Sequence, residues 1–192
     1  IAKVHILKAD IFTLEKPDIS ILGLHLHCSS FSKTLGATFR VGWVHAGKYS
    51  QHIQHLQLMS TISVNSLLQT ALVEFLSNFH YEKHLRSLRK NLQHNKLLFY
   101  RYLELNLPTG CKVEYHPGGY FLWLKLPKNV DSMRIYETLI QQKIGIAPGQ
   151  LFNINPQKQH YLRINCSLEW SDSVQHSFAQ LISTLQNFIV DE

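Results

Sequence analysis

Hydrophobic and polar positions follow two different periods along this chain, and the change of period divides it. Residues 20–28, SILGLHLHC, carry leucyl and β-branched positions up to a serine cluster, which predicts a strand leading into a loop. RVGWV at 40–44 predicts a second short strand, closed by Ala46-Gly47. Helical spacing then takes over from 50 to about 79, in two pieces with the polar stretch 60–66 near the break. Leu67, Ala71 and Phe75 fall on one face of the second piece, with Leu68 and Leu72 beside them. A longer helix is predicted over 81–105, where Leu85, Leu88, Leu92, Phe99 and Leu103 keep spacings of 3, 4, 7 and 4. Pro108-Thr109-Gly110 ends it.

Beyond that point the texture is strand-rich. Residues 112–115 and 120–126 read as strands joined by a turn at Pro117-Gly118-Gly119. Asp131 can cap a helix over 132–142, because its carboxylate accepts from the first unpaired amides. Short strands follow at 144–147 and 161–165, and an amphipathic helix over 171–188, capped by Ser171 or Asp172, closes the pattern. No repeat, low-complexity tract or flexible linker interrupts it. The order predicts the end of an α/β large domain over 1–107, bridging helix included, followed by a smaller α+β domain over 108–192.

Composition narrows the class. At 192 residues and 45% hydrophobic content the chain can bury a core, in one domain or two small ones. No apolar run is long enough to span a bilayer, and IAKVHILKAD lacks the pattern of a signal peptide, so a cytoplasmic location is expected. The start, in mid-pattern and without Met, suggests a piece of a longer protein. Three widely spaced cysteines, Cys28, Cys111 and Cys166, argue for reduced thiols rather than a disulfide framework. Cys28 reads either as a reactive thiol beside basic residues or as a buried structural one. A net charge of +6 permits nucleic-acid binding, yet basic residues cluster only in YEKHLRSLRK, between leucines, as on the solvated face of a helix. His80 and His84 would share a helix face, but Glu82 is not where a metalloprotease needs it and no third ligand is evident. No metal site is expected, and His25, His27, His52 and His55 read as surface or packing residues.

The chemistry lies in CSSFSKTLGATFRVGWV, residues 28–44. A lysine amine attacks an aldehyde only while neutral, and nearby positive charge lowers its pKa. The hydroxyls of Ser30 and Ser32 and the guanidinium of Arg40 could hold a phosphate by charge-assisted hydrogen bonds. On spacing alone Lys33 reads better as a surface-loop lysine, because Ser/Lys loops are common.

The segment resembles the cofactor-lysine region of fold-type I, class I/II aminotransferases. It is most similar to the aminotransferase-like domain of MocR-type regulators of the GntR family. HPGGYFLWLKLP (116–127) resembles that family's small-domain Gly-Gly strand, GIAPGQLF (145–152) its substrate-side loop, and YLRINCSLEW (161–170) its carboxylate-arginine strand. The resemblance implies pyridoxal 5'-phosphate (PLP) as cofactor, held as a Schiff base on Lys33 with Ser30, Ser32 and Arg40 on its phosphate. Arg163 is implied to grip the substrate α-carboxylate; a structural ion pair is its alternative.

Two departures accompany the likeness. Where the family carries Asp-x-x-Tyr for the pyridine ring, the matching stretch is Ala9-Asp10-Ile11-Phe12. The family's N-terminal half, and any winged-helix DNA-binding domain, lie outside this sequence. The resemblance thus implies amino transfer between an amino acid and a 2-oxo acid. Its alternatives are a PLP-sensing effector domain of a regulator, with DNA contact through an absent domain, or a cofactor-free fragment. A homodimer is implied for the full-length protein.

Overall fold

The computed structural model describes residues 26–61, 63–78, 80–152 and 160–190. The proposed Ala9 and Phe12 replacements, His25 and most of the first predicted strand lie outside the described residues. The chain divides into two compact units, Ile1–Leu85 and Arg86–Glu192.

In the first unit β1 (His27–Ser30) and β2 (Gly42–His45) pair antiparallel, with Ser30 opposite Gly42. β1 therefore runs through the serines expected to lie in a loop. Only glycine fits at 42, because a Cβ there would sit 2.8 Å from the Ser29 carbonyl oxygen. β2 starts two residues later than predicted, since Arg40 takes a left-handed conformation that no strand accommodates.

Two helices follow, α1 (Ser50–Thr61) and α2 (Ser66–Ser77). The Asn65 side chain accepts from the amides of Leu67 and Leu68 and fixes the start of α2. The break falls where polarity predicted it. The inner face does not: neither helix has a buried residue, and Leu67 is 75% exposed. Helix α3 (His80–Asn106) spans the boundary between the units, and its Tyr81 and Leu85 are buried, as are Phe31 and Val41 of the first unit.

The second unit carries a four-stranded antiparallel sheet in the order β3-β4-β6-β5, from β3 (Lys112–Glu114), β4 (Phe121–Lys125), β5 (Ala147–Pro148) and β6 (Tyr161–Asn165). Alternation sorts its two faces. Leu122, Leu124, Leu162 and Ile164 enter the core with residues of α3, α4 (Ser132–Gln141) and α5 (Asp172–Val190). Phe121, Trp123, Tyr161 and Arg163 occupy the other, half-buried face.

Asp131 caps α4 through the Met133 amide at 2.9 Å, and Ser171, rather than Asp172, caps α5. β5 is shorter and later than the strand expected at 144–147. The Ile144 amide bonds the Leu139 carbonyl instead, finishing α4 beyond Lys143 in a left-handed turn. Among the described residues no helix is long and apolar enough to cross a membrane.

The thiols separate by environment. Burial pushes Cys166 up to about 12 and Cys111 up to about 11, whereas Cys28 is exposed, not buried as a structural thiol would be. Alkylation of the native chain near neutral pH, read by peptide mass spectrometry, is expected to mark Cys28 first. Cys111 and Cys166 should follow only on unfolding.

Candidate functional site

Between β1 and β2, residues 31–41 form two short 3-10 turns, Phe31–Lys33 and Ala37–Phe39. Ser30 Oγ accepts from the Ser32 amide at 3.1 Å and donates to Ser32 Oγ at 3.0 Å, so the two hydroxyls stand side by side. Lys33 ends the first turn with an exposed side chain. The Phe31 carbonyl gathers the amides of Thr34, Leu35 and Gly36, while the Phe31 amide donates to Val41 O at 3.0 Å. These bonds tie the loop across its own neck.

Arg40 follows the second turn at φ 50° and ψ 35°. A left-handed non-glycine residue costs about 1–2 kcal/mol, and such strain concentrates where a side chain has to be aimed. Two hydroxyls, a guanidinium and a primary amine thus share one loop. That donor set fits a phosphate ester bearing an aldehyde: oxygens and guanidinium for the dianion, amine for the carbonyl carbon.

The loop is held from outside by residues the sequence left unassigned. The Tyr81 hydroxyl donates to Thr34 Oγ1 at 3.1 Å, and His84 Nε2 lies 2.6 Å from Thr34 O. A carbonyl only accepts, so Nε2 is the protonated ring nitrogen in this contact. Phe31 meets the Tyr81 ring edge-on at 6.1 Å. The first turn of α3 therefore clasps the residue that follows Lys33. His84, considered above as half of a metal pair, serves this contact, and His80 lies tilted against Phe75. His27 stacks edge-on against Trp43 at 4.9 Å, while His52 and His55 are exposed.

Arg163 belongs to the second unit, on β6 opposite Trp123 of β4 and Ala147 of β5. Its guanidinium carbon lies 4.2 Å from the Phe121 ring centre and 3.8 Å from that of Phe152. Among the described residues Arg163 meets ring faces rather than a carboxylate.

The Gly-Gly turn beside this strand has its own support. Gly118 and Gly119 adopt φ values of 81° and 61°, which side chains resist. Lys96 of α3, 2% exposed, donates to His116 O at 2.7 Å and Gly118 O at 2.8 Å, with its ammonium 5.1 Å from the Tyr115 ring centre. A buried ammonium fixed by two carbonyls and a ring locks the turn's approach.

Within one chain, a loop with a lysine, hydroxyls and an arginine and a separate small α+β unit carrying an arginine on its half-buried sheet face are the parts of an aminotransferase-like domain. The comparisons give the family: the model for aminotransferases of class I and II matches residues 9–175, and the chain belongs to that family, whose cofactor is PLP. It is 41% identical over 161 residues to the uncharacterized HTH-type transcriptional regulator YdcR of Escherichia coli, a match covering 84% of this chain and 34% of that protein. The chain thus spans about a third of the length of the curated relatives it matches. Among solved structures it resembles the multiple substrate aminotransferase of Thermococcus profundus, with TM-score 0.78 at 20% identity, over 87% of this chain and 42% of that one. The kynurenine aminotransferase of Pyrococcus horikoshii, solved with PMP, gives TM-score 0.77 at 24% identity with the same shares.

Lys96 generates a test. Burial lowers its pKa below the ordinary 10.5, with a smaller opposing electrostatic influence from the Cys166 side chain. Between the lowered value and 10.5 the unfolded chain holds the proton that the folded chain has released, so stability rises with pH in that window. In urea unfolding from neutral pH upward, the stability of the parent minus that of Lys96→Met should climb as pH approaches 10.5. A flat or falling difference would contradict the lowered pKa.

Proposed function

We propose that this chain is the cofactor-lysine part of an aminotransferase-like domain that binds PLP through Lys33. The observation that carries the reading is the shared loop of Ser30, Ser32, Lys33 and Arg40, tied across its neck and clasped at Thr34. PLP supplies an aldehyde for an amine and a ring that withdraws electrons from the substrate carbon. Ser30, Ser32 and Arg40 hold its phosphate. Lys33 would fix it through the amine, and the same amine would be placed to hold or move a proton. Arg163 takes the substrate carboxylate on its N–H edge.

In this reading α3 joins a large-domain portion over 1–107 to a small domain over 108–192. The buried, reduced Cys166 accords with a cytoplasmic setting. The unburied helices α1 and α2 accord with a homodimer of the full-length protein.

Two uses of such a domain each have support among the proteins it resembles. The curated relatives YdcR and YjiR, 41% and 33% identical, are described as HTH-type transcriptional regulators, which favours amino-acid or PLP sensing, with DNA contacted by a domain outside this chain. The resemblance to solved aminotransferases supports transfer of an amino group between an amino acid and a 2-oxo acid as the second reading.

The test is to incubate the protein with PLP, reduce with borohydride, and locate the phosphopyridoxyl group by mass spectrometry. The group is expected on Lys33, and Lys33→Ala should lose it. Arg40→Ala should weaken PLP binding by roughly tenfold or more, the value of a charge-assisted contact. Labelling spread evenly over surface lysines would sink the assignment. With the full-length protein, turnover of an amino donor and a 2-oxo acid would favour transfer. A ligand-dependent change in DNA binding without turnover would favour sensing.

A further inference from the structure

The half-buried face of the second unit's sheet is unusual in what it does with its arginine. We propose that Phe121 and Phe152 are positioning residues for carboxylate recognition: both rings hold the Arg163 guanidinium against their faces and so present its N–H edge to a ligand. The inference rests on the carboxylate reading of Arg163 given above.

Stacking and hydrogen bonding use different parts of a guanidinium. Its π-faces meet rings, whereas its N–H groups point outward in the plane. The guanidinium carbon lies over both rings, 4.2 Å from the Phe121 centre and 3.8 Å from that of Phe152, so the group is held against two aromatic faces. What remains is a planar fork, complementary to one planar carboxylate bound through two parallel hydrogen bonds.

Neighbouring residues hold the clamp. Trp123, opposite Arg163 in the β4–β6 register, meets Phe152 edge-on at 5.5 Å. Two residues before Phe152, the Gln150 amide donates to Asp131 Oδ1 at 3.0 Å, tying the turn that carries Phe152 to the start of α4. Ala147, opposite Arg163 on β5, is too small to cover the fork. A long arginine side chain loses several rotamers when it grips a ligand, and a stacked one has already lost them. The rings therefore strengthen binding of a monocarboxylate without touching it.

The test is an acetate titration of the chain labelled with 15N-arginine, at constant ionic strength with chloride as counter-ion, followed through the Arg163 side-chain N–H signal. In the parent chain that signal should be shifted by ring currents and should move saturably with acetate. Phe152 is 45% exposed, so Phe152→Leu leaves the core intact. It should weaken acetate binding by roughly three- to tenfold, as the loss of one stacked ring implies. Phe121→Leu should act in the same direction, and Phe152→Tyr, which keeps a ring face, should restore binding. A saturable response of unchanged affinity in both leucine variants would overturn the clamp and leave the carboxylate reading standing. Failure of tyrosine to restore binding would also overturn it. If Arg163 ignores acetate in the parent chain, the carboxylate reading fails and takes the clamp with it.

Discussion

The register of β4 against β6 is the constraint on which the second unit depends. Side chains alternate between faces, so a slip of one residue would send Arg163 into the core and turn Leu162 to the open side. The slip is prevented because Leu122, Leu124, Leu162 and Ile164 are all nearly fully buried on one face, and all four would have to leave together. Hydrophobic burial of roughly 1.5–3 kcal/mol for each such side chain outweighs any single polar contact on the other face. Arg163 stands among aromatic rings because its neighbours in sequence are required elsewhere. The site geometry is a by-product of core packing.

Polar groups finish what the core begins. Lys96 shows how little sequence space this takes. The apolar stripe of α3 jumps seven residues from Leu92 to Phe99, and Lys96 occupies the skipped position. It lies on the buried stripe, and its ammonium reaches the carbonyls on either side of Pro117. A charged residue at a core position of an otherwise regular stripe was the visible signal, and it asks for a partner of this kind.

Much of the architecture was legible because it rests on periodicity: both helices before α3, α3 itself to within a residue at each end, and the strands that flank the Gly-Gly turn. The lysine segment was legible through its likeness to a family, not through spacing. Two kinds of feature were not. The exposure of Leu67 contradicts a sound helical pattern, because amphipathicity says which face wants a partner and not whether one is present. The β5 strand moved because an amide at Ile144 found a helical carbonyl first, a local competition that residue type does not reveal. The Tyr81–Thr34 bond joins residues 47 apart in the chain, and no short-range rule anticipates it.

The uneven burial also bears on how the molecule comes apart. The second unit has a continuous core, whereas α1 and α2 contribute no buried side chain, and α2 meets α3 through the half-buried Phe75 ring. Helices of 12 residues with so little burial open at small free-energy cost, while strands over a packed core open only with the whole unit. Amide hydrogens in the two halves would thus exchange on very different timescales. A single melting temperature for this chain would average two events rather than report one.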